Sequence, residues 1–338
     1  MKINSLRVAL TLVAVSAAAY SVSAQTKLNG AGATFPAPLY QRWIAEFTKA
    51  NPNVQINYQA VGSGTGITNF TQGIVNFAGS DAAMTDEQIA KVKQGVVLIP
   101  ATAGSIVLAY NLPGVESLKL SREAYSGIFV GKITKWNDPT IAKANEGVKL
   151  PDTAITVCER SDGSGTTFVF TDYLSKISSE WKSRVGSSTS VSWPVGLGAK
   201  GNEGVAGMIR QMEGGFGYVE LIYALQNKIT FGPVQNASGN FVKASLESTT
   251  AAAAGAKMVG EDFRVSITNA PGKDAYPIAS FTYLLIPKQW KDGTKQKATF
   301  GFLDWMLNSG QSMITQLNYA PLPDAVKEKE LAVIKAIQ

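Results

Sequence analysis

Apolar side chains recur along the chain at two spacings, one typical of helices and the other of strands. The helical spacing predicts amphipathic helices at 39–47, 67–72, 166–176, 203–212, 295–307 and 325–337, with a further helix opening at Thr85. Short apolar runs predict strands at 55–61, 75–79, 96–99, 105–110, 155–158, 216–219 and 278–287. Because helices and strands alternate, the pattern is typical of parallel βαβ units and predicts an α/β fold.

The N-terminal segment has the pattern of a secretory signal peptide. Lys2 and Arg7 precede an apolar stretch at 8–19, and small residues at 22–24 form a signal-peptidase site. The apolar stretch is about a dozen residues long, shorter than the ~20 needed to span a bilayer. An uncleaved membrane anchor is the alternative. We expect a cleaved signal peptide at 1–24 and a mature protein outside the cytoplasm.

Removal of this segment leaves about 314 residues, long enough for two domains. No flexible linker separates two independent units. The pattern therefore favours two lobes joined by several crossings of the chain.

The chain has no His and a single Cys, Cys158. Ser-His-Asp and Cys-His nucleophile systems are therefore excluded within it, as are zinc sites built on His and Cys. Catalysis through carboxylates or Lys remains open. With one Cys no internal disulfide can form, and we interpret Cys158 as a buried small hydrophobe.

The chain carries 31 Lys and Arg against 25 Asp and Glu, a formal net charge of +6 that falls to +4 without Lys2 and Arg7. A mildly basic protein suits an anionic ligand through long-range steering, and it fits an ordinary surface equally well. No run of five basic residues is present. Nucleic acid is therefore not an expected partner.

Three glycine-rich turns, at 30–36, 62–66 and 162–167, each stand just before a predicted helix or its start. Glycine allows backbone N–H groups to converge, and the first N–H groups of a helix lack partners within it. Together with the helix dipole, this arrangement forms an anion site. Each turn alone is more often a plain turn with a Ser cap. The third turn lacks the Lys of a P-loop, which argues against nucleotide hydrolysis.

Two charged residues lie close to these turns in the sequence. Arg160 stands just before the third turn, where a guanidinium can grip two oxygens of a tetrahedral anion, or can pair with Asp162 at the surface. Asp81 ends a predicted strand among small residues. A helix or turn cap is the alternative for Asp81.

With these features the sequence resembles the periplasmic phosphate-binding proteins of bacterial phosphate-specific ABC transporters. The resemblance covers nearly the whole mature chain and is densest at 30–38, 79–82, 160–166, 193–198 and 217–220. It implies a two-lobed periplasmic binding protein fold of type II-like topology, with the ligand cleft between the lobes. One lobe would comprise 25–107 and 280–338, and the other 108–279.

The resemblance also implies the function and the partners. The chain would be a monomeric periplasmic protein, not an enzyme, that captures inorganic phosphate and delivers it to an ABC transporter permease in the inner membrane. No catalytic residue, metal or cofactor is implied. The implied phosphate contacts are Thr34, Phe35 through its backbone N–H, Ser63, Asp81, Arg160, Ser164, Gly165 and Thr166, with Asp162 orienting Arg160.

One neighbouring position departs from the family pattern. Glu159 occupies a site that is often basic in relatives. An acid beside Arg160 would weaken the local positive field unless its side chain points away along the strand.

Asp81 is the residue expected to distinguish phosphate from sulfate. Phosphate near neutral pH retains a proton that a carboxylate can accept, whereas fully ionised sulfate meets a carboxylate as one acceptor facing another. Three alternatives stay open from the sequence: a binding protein for another oxyanion such as sulfate, molybdate or phosphonate, a secreted phosphatase, and a structural or adhesive surface protein.

Overall fold

The computed structural model describes residues 25–256 and 263–338, and the predicted signal peptide at 1–24 lies outside the described residues. The helices in the described ranges are α1 (Ala37–Ala50), α2 (Ser63–Thr71), α3 (Asp86–Ala90), α4 (Arg122–Phe129), α5 (Pro139–Ala142), α6 (Gly165–Ile177), α7 (Ser179–Arg184), α8 (Gly201–Gln211), α9 (Leu221–Gln226), α10 (Leu246–Ala254), α11 (Gly293–Leu307) and α12 (Asp324–Ile337). Two short 3-10 segments, Ser309–Met313 and Thr315–Leu317, separate the last two helices.

The strands in the same ranges are β1 (Thr26–Gly32), β2 (Val54–Ala60), β3 (Phe77–Ser80), β4 (Val96–Tyr110), β5 (Thr156–Arg160), β6 (Leu197–Ala199), β7 (Gly215–Glu220), β8 (Thr230–Phe231), β9 (Val234–Gln235), β10 (Phe241–Val242) and β11 (Ala279–Pro287). The main sheet has the order β2-β1-β3-β11-β4-β7-β5-β6, with β8 also beside β4. Each predicted helix is present. The predicted α/β class is confirmed.

The strands are parallel at both ends of this sheet and antiparallel in its centre. Strand β1 lies parallel to β2 and β3, and β5 lies parallel to β6 and β7, as the predicted βαβ units require. In the centre, β11 is antiparallel to both β3 and β4, and β4 is antiparallel to β7. The sheet is therefore mixed, and its antiparallel centre was not predicted from the spacing of the elements.

The two strands predicted at 96–99 and 105–110 are a single strand, β4, so that prediction was wrong. The residues between them are small or polar, and they were not recognised as a strand. They are nonetheless fully buried, and Thr102 donates a hydrogen bond to the carbonyl of Ala320 over 2.8 Å. The first part of β4 pairs with β11 and the last part, from Ile106, pairs with β7. One strand thus runs from one half of the sheet into the other.

The two halves of the sheet, with their helices, form two lobes. Strands β1, β2, β3 and β11 with helices α1, α2 and α11 form the first lobe, and β5, β6 and β7 with α6 and α8 form the second. The chain passes between the lobes along β4 and returns through β11. The limits 25–107 with 280–338 and 108–279 stay a prediction.

Each lobe is held by its own buried aromatic cluster. In the first lobe, Trp43 stacks on Tyr40 and donates from its indole to the carbonyl of Gly310 over 2.8 Å. In the second lobe, Tyr218 stacks on Phe170 with ring centroids 4.6 Å apart. Cys158 is fully buried in β5, which fits its interpretation as a small hydrophobe. Among the helices of the described ranges, none is both long and apolar enough to cross a membrane.

Candidate functional site

The glycine-rich turns all follow strand ends that meet in one region. The first turn follows β1, the second follows β2, and Asp81 follows β3, so the parallel pairing of these strands brings them to one edge of the first lobe. The third turn follows β5 of the second lobe. Ligands bind at this position in many open α/β sheets, outside the carboxyl ends of the strands.

Two helices direct their N-termini into this region. Helix α2 begins at Ser63, inside the second turn, and not at residue 67 as the apolar spacing predicted. The second turn is therefore the first turn of the helix, because Gly62 takes a φ of 93° at the N-cap and lets the chain enter it directly. Helix α6 begins at Gly165, and Ser164 caps it by accepting from the backbone N–H of Thr167. Both ends carry N–H groups without helical partners.

The second and third turns contact each other directly. The backbone N–H of Gly64 donates to the carbonyl of Gly163 over 2.8 Å. A Cβ added to Gly165 would lie 2.3 Å from Ser63 Oγ and 2.5 Å from Asp81 Oδ2. Only glycine therefore fits at position 165, and the helix α6 N-terminus comes within contact of the first lobe.

Asp81 is 2% exposed and has two different carboxylate oxygens. Its Oδ1 accepts from Thr282 Oγ1 over 2.7 Å, and its Oδ2 has no hydrogen-bond partner in the described parts of the chain. Burial raises the pKa of Asp81 to about 7, although Thr282, the charge of Arg160 and Ser63 lower it in part. A side chain with one unpaired buried oxygen is not explained as a simple helix cap.

Arg160 and Asp162 form a bidentate ion pair in which Arg160 is buried and Asp162 partly buried, with side chains 1% and 11% exposed, so the pair does not lie at the open surface. Arg160 Nε donates to Asp162 Oδ1 over 2.7 Å and Nη2 donates to Oδ2 over 2.6 Å. Its Nη1 donates to Thr166 Oγ1 over 3.3 Å. Burial acts to raise the pKa of Asp162, but the hydrogen bonds and charge of Arg160, with the N–H of Gly201, hold it below its ordinary value.

Four buried hydroxyl groups of the region accept hydrogen bonds from the protein. The donors are Asn202 to Thr34, the backbone N–H of Asp81 to Ser63, that of Thr167 to Ser164, and Arg160 with Asn202 to Thr166. The Ser63 hydroxyl also hydrogen-bonds to the Asp81 carboxyl group, whereas within the described ranges the hydroxyls of Thr34, Ser164 and Thr166 are not seen donating to a protein acceptor. The hydrogens of these three hydroxyls thus remain available to an anion.

Two tyrosines hold the backbone of the first turn. Tyr223 donates from its hydroxyl to the carbonyl of Thr34, and Tyr319 donates to the carbonyl of Phe35 over 2.6 Å. Phe35 itself is fully buried. These two hydrogen bonds restrain the backbone of the first turn at Thr34 and Phe35.

The structure thus brings all the residues predicted from the sequence into one connected site: Thr34, Phe35, Ser63, Asp81, Arg160, Asp162, Ser164, Gly165 and Thr166. Sequence reasoning missed three supporting residues, Asn202, Thr282 and Glu220. The motif at 217–220 includes Glu220, which is fully buried, has an unpartnered Oε1 in the described part, and has a pKa raised by burial. No local pattern marked the other two.

Glu159 lies away from the donors of the site. A Cβ built on Gly198 would lie 2.9 Å from Glu159 Oε1, and one built on Gly196 would lie 3.2 Å from Glu159 Cγ. The carboxyl group therefore lies beside strand β6 and beside Gly196, which precedes that strand. Burial raises the pKa of Glu159.

Chemically, the site offers hydroxyl and backbone donors, one guanidinium whose charge is balanced by Asp162, and one carboxyl group with a free oxygen. Neutral donors around a buried anion stabilise it by many charge-assisted hydrogen bonds. Among the described residues, no cluster of three or more His, Cys, Asp or Glu side chains is placed to hold a metal ion.

Comparisons with known proteins show the family to which the chain belongs. The family model of the PBP superfamily domain matches residues 17–309. The phosphate-binding protein PstS of Xylella fastidiosa is 46% identical over 308 residues, covering 90% of this chain and 84% of the relative. The phosphate-binding protein PstS of Pasteurella multocida is 43% identical over 326 residues, covering 96% of this chain and 94% of the relative.

The fold is also similar to solved structures. A high affinity periplasmic phosphate-binding protein (PfluDING) bound with phosphate superimposes with a TM-score of 0.73 at 22% identity, covering 92% of this chain and 93% of that one. A phosphate-binding protein from Stenotrophomonas maltophilia has a TM-score of 0.71 at 23% identity, covering 91% and 94%. At these identities the likeness supports the two-lobed periplasmic binding protein fold that was predicted from the sequence.

Proposed function

Because the chain belongs to the PBP superfamily and, within it, to the PstS phosphate-binding proteins, which are solute-binding proteins and not enzymes, we propose that it captures inorganic phosphate for an ABC transporter. Phosphate would bind in the cleft between the lobes. The observation that carries the proposal is the set of four buried hydroxyls, each already accepting from the protein, in the same connected site as the unpartnered oxygen of Asp81.

The proposed contacts divide between the two lobes. The first lobe contributes Thr34, the backbone N–H of Phe35, Ser63 and Asp81. The second lobe contributes the guanidinium of Arg160, the Ser164 and Thr166 hydroxyls and the N–H groups at the start of α6, among them that of Gly165. Asp162 would orient Arg160 and balance its charge. The anion would then be held mainly by neutral donors.

Selectivity against sulfate would come from Asp81. Its free Oδ2 can accept the proton that phosphate retains, whereas sulfate has no proton to give. Two acceptors would then face each other in a buried site, and an unpaired buried group costs about 1–3 kcal/mol, more when charged. A site built around a particular hydrogen bond can reject the wrong ligand by about 10⁴-fold.

Delivery would follow closure of the lobes around the anion, a hinge motion about the crossings at β4 and β11. The moving units would be 25–107 with 280–338 and 108–279. After cleavage of the segment 1–24, a monomer would carry phosphate through the periplasm to a permease in the inner membrane.

Calorimetric titration of the purified mature chain tests this function. The protein is first unfolded, dialysed free of phosphate and refolded, and it is then titrated with phosphate and with sulfate at equal ionic strength. We expect saturable one-to-one binding of phosphate and no measurable binding of sulfate. Absence of phosphate binding by refolded protein with native circular dichroism contradicts the proposal, and equal binding of both anions contradicts the selectivity.

A further inference from the structure

Asn202 links the two lobes at the proposed phosphate site. It is the second residue of α8 in the second lobe and is fully buried. Its side-chain Nδ2 donates to Thr34 Oγ1 of the first lobe over 2.8 Å and to Thr166 Oγ1 of the second lobe over 3.0 Å. Its backbone N–H donates to the same oxygen of Thr34 over 3.2 Å. One carboxamide therefore serves hydroxyls from both walls of the cleft.

The orientation of this carboxamide is fixed by its third partner. Asn202 Oδ1 accepts from the backbone N–H of Glu220 over 2.9 Å. A backbone N–H can only donate, so a rotated amide would place two donors against each other there. The hydrogens of Nδ2 must consequently point at Thr34 and Thr166.

This arrangement makes both hydroxyl groups acceptors toward Asn202. A hydroxyl that accepts from Asn202 keeps its own hydrogen free to donate to another group. We propose that Asn202 is a positioning residue that makes Thr34 and Thr166 donors to the bound anion and joins the lobes when they close on it. The inference rests on the proposed function, since it assigns how that site is organised.

Substitution by Asp separates this role from a purely structural one. Asn202→Asp has the same shape and keeps an oxygen for the N–H of Glu220, but it replaces the Nδ2 donor by an acceptor. The Thr34 and Thr166 hydroxyls would then turn toward the carboxylate and away from the anion. Asn202→Ala loses the contact with Glu220 but leaves both hydroxyls with a remaining donor, the backbone N–H of residue 202 for Thr34 and Arg160 for Thr166.

The positioning role therefore predicts that Asn202→Asp binds phosphate more weakly than Asn202→Ala. A purely structural role predicts the opposite order. We expect Asn202→Ala to weaken phosphate binding by about 10-fold and Asn202→Asp by ~100-fold or more, the range of one to two lost hydrogen bonds to a charged ligand. The loss in the Asp variant, measured as a ratio to wild type at each pH, should shrink as the pH falls, because a protonated carboxyl group can donate again.

A double-mutant cycle tests the route through the hydroxyls. In a Thr34→Val, Thr166→Val background, Asn202→Ala should change phosphate affinity by less than about 3-fold, because the groups it positions are gone. Asn53→Asp, the same chemical change at an exposed position between α1 and β2, is the matched control and should leave the affinity unchanged.

Wild-type protein is titrated in parallel, with thermal denaturation of every variant. If wild type binds no phosphate, the proposed function is wrong, and the positioning role that rests on it is wrong too. If wild type binds and Asn202→Asp binds within twofold of wild type, or more tightly than Asn202→Ala, the positioning role is overturned. If Asn202→Ala does not fold, the positioning role is tested by the phosphate affinity of Asn202→Asp relative to wild type and by the pH dependence of that ratio.

Discussion

Gly64 and Gly163 meet where the second and third glycine turns touch, with the N–H of Gly64 donating to the carbonyl of Gly163 over 2.8 Å. A Cβ built on Gly64 would lie 3.1 Å from the Cα of Gly163, and one built on Gly163 would lie 3.2 Å from the Cα of Gly64. Both obstacles are backbone atoms, which cannot rotate aside as a flexible side chain does. An alanine at either position would therefore push the two turns apart by a few tenths of an ångström.

Gly163→Ala is expected to weaken phosphate binding by about 10-fold, because the added methyl group holds the two turns apart by a few tenths of an ångström and lengthens hydrogen bonds across the cleft. The phosphate-free protein should keep its melting temperature, since the obstruction acts only where the turns meet. Calorimetry and thermal denaturation measure the two effects. Gly207→Ala in α8, where an added Cβ meets nothing within 4 Å, is the control and should leave affinity unchanged. Equal affinities of wild type and Gly163→Ala would contradict the argument.

Arg160→Lys should weaken phosphate binding by about 10- to 100-fold although the positive charge is kept. The guanidinium reaches both oxygens of Asp162 and also Thr166, and a single ammonium group cannot occupy all of these positions. Arg160→Ala should lose at least as much. Arg184→Lys is the matched control, because the salt bridge of Arg184 with Glu180 lies at the surface, where such pairs contribute little. If Arg160→Lys binds phosphate as tightly as wild type, the planar guanidinium group is not needed in the proposed site.

Local patterns in the sequence were sufficient for features whose partners lie nearby in the chain. Leu39, Trp43 and Phe47 recur at helical spacing, and all three are buried on the inner face of α1. The glycine turns were visible because each stands between a strand and a helix. The family resemblance added the identities of the contacts at the turns.

Other features depend on contacts that no local pattern records. Asn202 lies 168 residues from Thr34, and Thr282 lies 201 residues from Asp81. The middle of β4 resembles a loop in sequence because Thr102 and Gly104 are polar or small, and its burial results from pairing with β11. The hydrogen-bonding state of the hydroxyls likewise follows from tertiary structure alone.

Glu159→Gln should leave phosphate affinity within about twofold of wild type, since the carboxyl group lies over Gly196 and Gly198 and not among the donors of the site. Burial raises the pKa of Glu159, so the variant should also be slightly more stable at pH values where the carboxyl group is ionised, because it removes an ionised, partly buried group whose Oε2 has no partner in the described part of the chain. Calorimetry and urea denaturation measure these values. A change of tenfold or more in affinity would place the charge of Glu159 within the field of the site.

The stability of the phosphate-free protein should depend on pH through Asp81. Its pKa is about 7 in the folded protein against an ordinary value of 3.8, so the folded state favours the protonated acid. The contribution of Asp81 to stability is full below pH 4 and is lost as the pH rises through 7. Relative to Asp81→Asn, wild type should therefore lose at most about 4 kcal/mol of unfolding free energy between pH 4 and pH 8. Denaturant unfolding of both proteins measures this difference. Glu220 and Glu330 also have raised pKa values, but both residues are present in both proteins, so their contributions to the difference largely cancel. A difference that is flat across this range contradicts the buried, protonated acid.

Asp81→Asn should admit sulfate. The Oδ2 of Asp81 has no partner among the described residues, and an amide nitrogen in its place can donate to an anion that has no proton. The Oδ1 contact with Thr282 can remain, so the side chain keeps its position. We expect the ratio of phosphate affinity to sulfate affinity to fall by at least about 100-fold, because phosphate loses its proton acceptor and sulfate gains a donor. Asp152→Asn changes an exposed acid paired with Lys135 and should leave the ratio unchanged. Calorimetry with both anions at one pH measures the ratio, and an undiminished rejection of sulfate by Asp81→Asn would show that the carboxylate does not select the anion.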